Sequence, residues 1–152
     1  SENYVVGGFI APEVRHQGAR IGFKVVDLAS GEEAWLAMKG SDSKVRVGSY
    51  GVLINEASKL VEKALRYAIE KADVIAVDEV GPMELKLPVF KPLLLEALRS
   101  QKPAILVVHI KLNDPDILSY LKNAKKVVLT LENREMYRRT LPMEVLNELK
   151  RP

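Results

Sequence analysis

The sequence predicts an α/β domain with a mostly parallel sheet and an inserted β-hairpin, on three observations. Residues 74–77, 104–108 and 126–131 are apolar, or nearly so, along their whole length. Strands without polar alternation are buried on both faces, as in a parallel sheet flanked by helices. Residues 53–72 instead carry an apolar stripe at Ile54, Ala57, Leu60, Val61, Ala64, Leu65, Ala68, Ile69 and Ala72. That spacing is one face of an amphipathic helix. Finally, residues 20–27 and 33–38 alternate around Ser30-Gly31-Glu32, the pattern of two strands joined by a turn.

In chain order, residues 4–10 read as a short buried strand whose Gly7 and Gly8 permit close backbone approach. Residues 12–18 read as a polar connection carrying Glu13, Arg15 and His16. The hairpin of 20–27 and 33–38 follows, then a Ser/Gly/Lys-rich loop over 40–50 with a short strand at 45–47. After the helix of 53–72, each apolar strand is followed by a helical segment. Residues 88–99 follow the strand of 74–77, residues 115–122 follow that of 104–108, and short helical turns running to about residue 150 follow that of 126–131. No repeat, low-complexity tract or linker interrupts the 152 residues, so 1–152 is read as one domain.

Composition narrows the function classes. Hydrophobic residues at 47% and charged residues at 28% describe a globular chain rather than a disordered one. No apolar run approaches the roughly 18 residues of a membrane span. The first residues lack the basic and apolar regions of a secretory signal, and there is no cysteine. The expectation is a cytoplasmic protein without disulfides or thiol chemistry. Two histidines, His16 and His109, are too few for a multi-histidine metal site. A net charge of +3 is too small for a dedicated nucleic-acid binder.

The segment richest in chemistry is Asp73-Val-Ile-Ala-Val-Asp78-Glu79-Val-Gly81-Pro82. A buried strand here delivers two adjacent carboxylates to its carboxyl end, the edge where open α/β sheets bind ligands. In a P-loop nucleotide hydrolase the first acid at such a point holds Mg²⁺, and the second orients and deprotonates the attacking water. Strand-ending acids are also common for structural reasons alone, so the pair by itself is a motif and not a proof.

Four strings make the pattern more selective. They are Val5-Val-Gly-Gly-Phe-Ile-Ala-Pro-Glu13-Val-Arg15, Arg20-Ile-Gly-Phe-Lys-Val-Val-Asp-Leu28, Asp73 through Asp-Glu-Val-Gly-Pro-Met-Glu84, and Thr130-Leu-Glu-Asn-Arg134. In this order, over nearly the whole chain, they resemble the nucleoside-triphosphatase family first described in thermophiles, which includes the cancer-related nucleoside-triphosphatase. The resemblance implies a RecA-like P-loop three-layer sandwich and Mg²⁺-dependent hydrolysis of ATP, GTP and other nucleoside triphosphates. It implies Asp78 as the Mg²⁺-associated Walker B acid and Glu79 as catalytic base. Val80 and Gly81 would continue the nucleotide site.

The resemblance also implies a Walker A loop, G-x-x-x-x-G-K-[ST], before the segment matching residues 4–10. None of the nine glycines is followed by lysine. The strand, loop and helix of such a unit, on the order of 30 residues, have no counterpart in the sequence. In a RecA-like sheet the missing strand lies between those expected at 104–108 and 126–131. They would stand about 9–10 Å apart, with backbone groups facing a gap. A shortened chain fits this better than a natural domain without the loop, and another chain supplying the strand is the third alternative. The 152 residues alone are expected to hydrolyse nucleotides poorly, because the phosphate cradle needs those N–H groups and the lysine.

Five further residues carry both a functional and a structural reading. His109 ends the strand beside the acidic pair, as a γ-phosphate sensor or as a strand-capping histidine. Arg15 would stabilise phosphate charge or form a surface ion pair. Asn133 and Arg134 would flank the base, Arg134 by stacking on it, or Asn133 would cap a helix. Glu84 belongs to the family string or is a solvated loop acid. Trp35 in its alternating strand reads as core. The competing function is a regulatory module without hydrolysis that binds RNA or protein through its basic surface.

Overall fold

The computed structural model describes residues 3–130 and 132–149. Its sheet begins with β1 (Val6–Ile10), β2 (Glu13–His16), β3 (Ala19–Asp27) and β4 (Glu33–Lys39), followed by β5 (Arg46–Val47) and β6 (Tyr50–Val52). Helix α1 (Ile54–Lys71) leads to β7 (Val74–Val80), α2 (Pro82–Leu85) and α3 (Phe90–Arg99). The chain continues through β8 (Ala104–Val108), α4 (Pro115–Leu121) and α5 (Arg134–Leu149). The sheet order is β5-β6-β4-β3-β1-β7-β8, with β2 paired to β3 outside that path.

The apolar strands behave as their composition requires. β1, β7 and β8 are parallel, with Phe9 opposite Val77 and Val77 opposite Leu106. Helix α1 turns Ala57, Leu60, Val61, Ala64, Leu65 and Ala68 inward. Its fit against β1 depends on Gly7, where a Cβ would come within 2.8 Å of the Ala68 Cα. Helix α3 joins α1 on this side of the sheet, its Phe90 ring meeting Phe9 edge-on at 5.8 Å. Lys102 ties the layers together by donating to the terminal carbonyls of α1, Ala68 at 3.2 Å and Ala72 at 2.8 Å.

Several expectations are corrected. The parallel portion comprises only β1, β7 and β8, and the remaining ladders are antiparallel. Residues 12–18 are not a plain connection: β2 pairs with β3 around Gln17 and Gly18, both at positive φ, which makes a tight two-residue hairpin. The short strand expected at 45–47 forms as β5, and β6 is an additional strand that joins it to β4. The strand read at 74–77 runs on to Val80, and the one-turn α2 precedes α3. The short helical turns near the end are one helix, α5, with Pro142 inside it.

The strand expected at 126–131 does not form over 126–130, and Leu131 lies outside the described residues. A strand needs a neighbour to satisfy its backbone, and the described sheet ends at β8. Val128 and Leu129 are accordingly exposed at 69% and 56%. Across the sheet from α1 and α3, Ile105 and Val107 of β8 also remain exposed, at 44% and 40%. The described residues pack no helix extensively on that face.

Candidate functional site

The acidic pair sits at the carboxyl end of β7, in the parallel part of the sheet. Asp78 lies between Ile10 of β1 and Val107 of β8. The β7–β8 register then slips, so that Val80 rather than Glu79 faces Val108. Glu79 is thus the extra residue of a bulge, the device by which strands re-aim a side chain beside a site. Asp78 is exposed and Glu79 half-buried. Surrounding protein partly desolvates the Asp78 carboxyl and raises it above the usual aspartate value.

The exit from β7 is built tightly. Gly81 precedes α2 as its N-cap, with Pro82 at the first helical position, where its missing N–H costs nothing. The Gly81 carbonyl accepts from the Leu85 N–H at 3.0 Å. The Glu79 side chain lies over Gly81: a Cβ there would stand 2.9 Å from Glu79 Oε1 and 3.0 Å from its Cδ and Cγ. Glu84, in α2, is only 3% exposed. Burial pushes its carboxyl up to about 8, and the negative charges of Glu79 and Asp78 push the same way. The backbone N–H groups of Glu84 itself and of Gly81 face that carboxyl and partly oppose the rise.

His109 is brought to the same edge. Its N–H donates to the Val80 carbonyl at 3.1 Å, locking the ends of β7 and β8 together. The Lys111 N–H donates to His109 Nδ1 at 3.1 Å, which leaves Nε2 as the N–H of the neutral ring. Val80 supplies structure here, with a fully buried side chain and a carbonyl taken by His109. Asp78, Glu79, Val80, Gly81 and His109 are therefore assembled at one edge.

The other candidates are not joined to this edge by any hydrogen bond or ion pair among the described residues. Arg15 donates to Glu13 Oε1 at 2.7 Å and to the Gly18 carbonyl at 2.8 Å, a local surface pairing on the hairpin. Asn133 precedes α5, but its side chain turns back to the loop before it. Oδ1 accepts from the Thr130 N–H at 2.8 Å, and Nδ2 donates to the Val128 carbonyl at 2.9 Å. Arg134 lines an open groove of about 320 Å³ with Leu129, Tyr137, Leu141 and Pro142. Trp35 is half-buried, its ring covered by Lys24 Nζ at 5.0 Å.

Sequence reasoning left Glu84 as a member of the family string or a solvated loop acid, and did not anticipate its burial. The available signal was its place three residues after Gly81-Pro82, the spacing of an acid that folds back onto a helix start. For a metal, no cluster of three or more acidic or histidine side chains is present among the described residues. Mg²⁺ is commonly held by one or two carboxylates with waters and substrate phosphates rather than by a protein cage. Asp78, an exposed carboxylate at the sheet edge, would fit such a role. No helix among the described residues is long and apolar enough to cross a membrane.

Comparison with known proteins gives consistent matches. The family model described as NTPase matches residues 1–146. The chain is 42% identical to the nucleoside-triphosphatase THEP1 of Saccharolobus solfataricus, over 95% of this chain and 76% of that protein. It is 43% identical to the protein of the same name from Hyperthermus butylicus, over 98% of this chain and 78% of that one. Among solved structures, THEP1 from the hyperthermophile Aquifex aeolicus superposes with a TM-score of 0.78 at 27% identity. That match covers 96% of this chain and 84% of the other.

Proposed function

The chain belongs to the NTPase family, and from that premise we propose that its acidic edge hydrolyses nucleoside triphosphates, ATP and GTP among them, to the diphosphate and phosphate. The observation that carries this reading is the placement of Asp78 and Glu79 together at the carboxyl end of β7, with Glu79 set apart by the bulge.

In this reading Glu79 accepts the proton of the water that attacks the terminal phosphorus, while the bond from that phosphorus to the bridging oxygen breaks and the nucleoside diphosphate leaves. Its side chain is held over Gly81 and is half-buried, so it keeps one orientation while remaining open to water. Asp78 would hold Mg²⁺ directly or through water, and the ion would supply charge neutralisation at the phosphate oxygens. The His109 Nε2–H donates toward the terminal phosphate, its ring oriented by the Lys111 N–H. Arg134, exposed beside Tyr137, offers a flat guanidinium for stacking on the base. Arg15 assists only by leaving its pairing with Glu13.

A phosphate loop is the part of this machinery for which the sequence provides no Gly-Lys pair. The open edge of β8, with Ile105 and Val107 uncovered beside it, is where a strand carrying such a loop would add to the sheet. The alternative of a nucleic-acid module gains no specific support. Arg15 and Arg20 both pair with Glu13, and Arg46 is turned onto the carbonyls of Ser41, Ser43 and Ser49.

The test is phosphate release from ATP and GTP by the polypeptide carrying a phosphate loop, with and without Mg²⁺. Release that needs Mg²⁺ and is lost in Asp78→Asn is expected. Release unaffected by either change sinks the reading.

A further inference from the structure

Gly81 occupies a backbone conformation that does not call for glycine. Its φ of −138° and ψ of −176° are extended values open to any residue. Its small size is required by something else. The three heavy atoms nearest to a Cβ at this position all belong to Glu79: Oε1, Cδ and Cγ, at 2.9–3.0 Å. The gap left by the missing side chain is therefore the space in which the Glu79 carboxylate lies.

Gly81 is itself pinned. Its carbonyl accepts from the Leu85 N–H at 3.0 Å, which ties it to the single turn of α2. Its N–H faces the carboxyl of Glu84. Glu84 is almost fully buried, and α2 packs on β7 and β4, so this acceptor has no freedom to leave. A long acidic side chain buried in a one-turn helix is costly to retain for stability alone.

The geometry points to Gly81 and Glu84 as positioning residues for Glu79: Glu84 anchors the Gly81 backbone, and the bare α carbon of Gly81 seats the Glu79 carboxylate over the sheet edge. The inference rests on the proposed function in taking Glu79 as the catalytic base. The seat itself is a property of the fold.

Gly81→Ala separates the two. Because the backbone is extended and only the end of the Glu79 side chain is in the way, the variant keeps the fold and moves the carboxylate. Glu84→Ala removes the anchor, whereas Glu84→Gln keeps an oxygen that can accept from the Gly81 N–H. The first readout is the carboxyl-carbon NMR signal of Glu79 in uniformly ¹³C-labelled full-length protein, assigned by its loss in Glu79→Gln. The signal is expected to shift in Gly81→Ala and Glu84→Ala, and to return to its original position in Glu84→Gln.

The second readout is ATP hydrolysis. For Gly81→Ala and Glu84→Ala, kcat is expected to fall about 10- to 100-fold with KM within about twofold. Gly81→Ala should cause no further loss in a Glu79→Gln background. An unmoved Glu79 signal in folded Gly81→Ala overturns the inference, and so does a Glu84→Gln variant as perturbed as Glu84→Ala. A shifted signal in a protein that shows no turnover at all would leave the seat standing and remove the hydrolytic reading instead.

Discussion

The side chain of Glu79 rests where Gly81 has no Cβ, and Glu84 is buried beneath the same turn. These contacts separate two acids that are adjacent in sequence. Asp78 remains exposed, suited to a hydrated metal, while Glu79 is confined. The pair was legible because a short apolar run ending in two carboxylates states both the strand and the edge where ligands bind. The burial of Glu84 was harder to read, because it depends on a four-residue helix with no periodic signal and is marked only by the spacing from Gly81. Its titration gives a direct check. A carboxyl held at about 8 when folded, against 4.5 ordinarily, binds its proton more tightly in the folded chain. The stabilisation is complete below pH 4.5 and is lost as pH rises through 8. Without divalent cations, the urea midpoint of the wild type should therefore fall between pH 6 and pH 9 more than that of Glu84→Gln. Parallel curves for the two proteins contradict the burial.

Helix α1 and strand β8 show what a sequence pattern can and cannot carry. The stripe from Ile54 to Ala72 found its partner because β1 presents Gly7 to Ala68 and so allows close approach. Gly7→Ala places a methyl group against helix backbone and is expected to destabilise by about 1–3 kcal/mol. The thermal midpoint should drop several degrees, and an unchanged midpoint refutes the close fit. Lys102 closes the far end of α1, so Lys102→Met should free the carbonyls of Ala68 and Ala72. Faster amide exchange confined to the last turn of α1 would show it. The run at 126–130 has strand composition but no strand beside it, since pairing is a property of two segments and composition belongs to one. Amides on the outer edge of β8 should accordingly exchange rapidly in these 152 residues. Addition of a strand bearing a phosphate loop should slow them. Slow exchange before such addition contradicts an open edge.

Taken together, the elements make one curled sheet in which a parallel core bears the acids and an antiparallel extension grows from β3. The α/β class was readable because continuous apolar strands and an amphipathic helix are independent signals that agree. The reach of the extension was not, because β2 and β6 are short, and the pairing of such strands is set by turns such as Gln17-Gly18 rather than by hydrophobic alternation. The molecule is asymmetric in consequence: α1 and α3 bury one face of the parallel core, while Ile105 and Val107 stay open on the other, close to Asp78. The central claim is that this edge binds nucleotide and that Glu79 performs the proton transfer. The most direct measurement compares wild type with Glu79→Gln, both carrying a phosphate loop, for ATP affinity and single-turnover phosphate release in the same Mg²⁺ buffer. The account predicts affinities within about threefold and a release rate lower by about 100-fold or more. Equal release rates at equal affinity would contradict it.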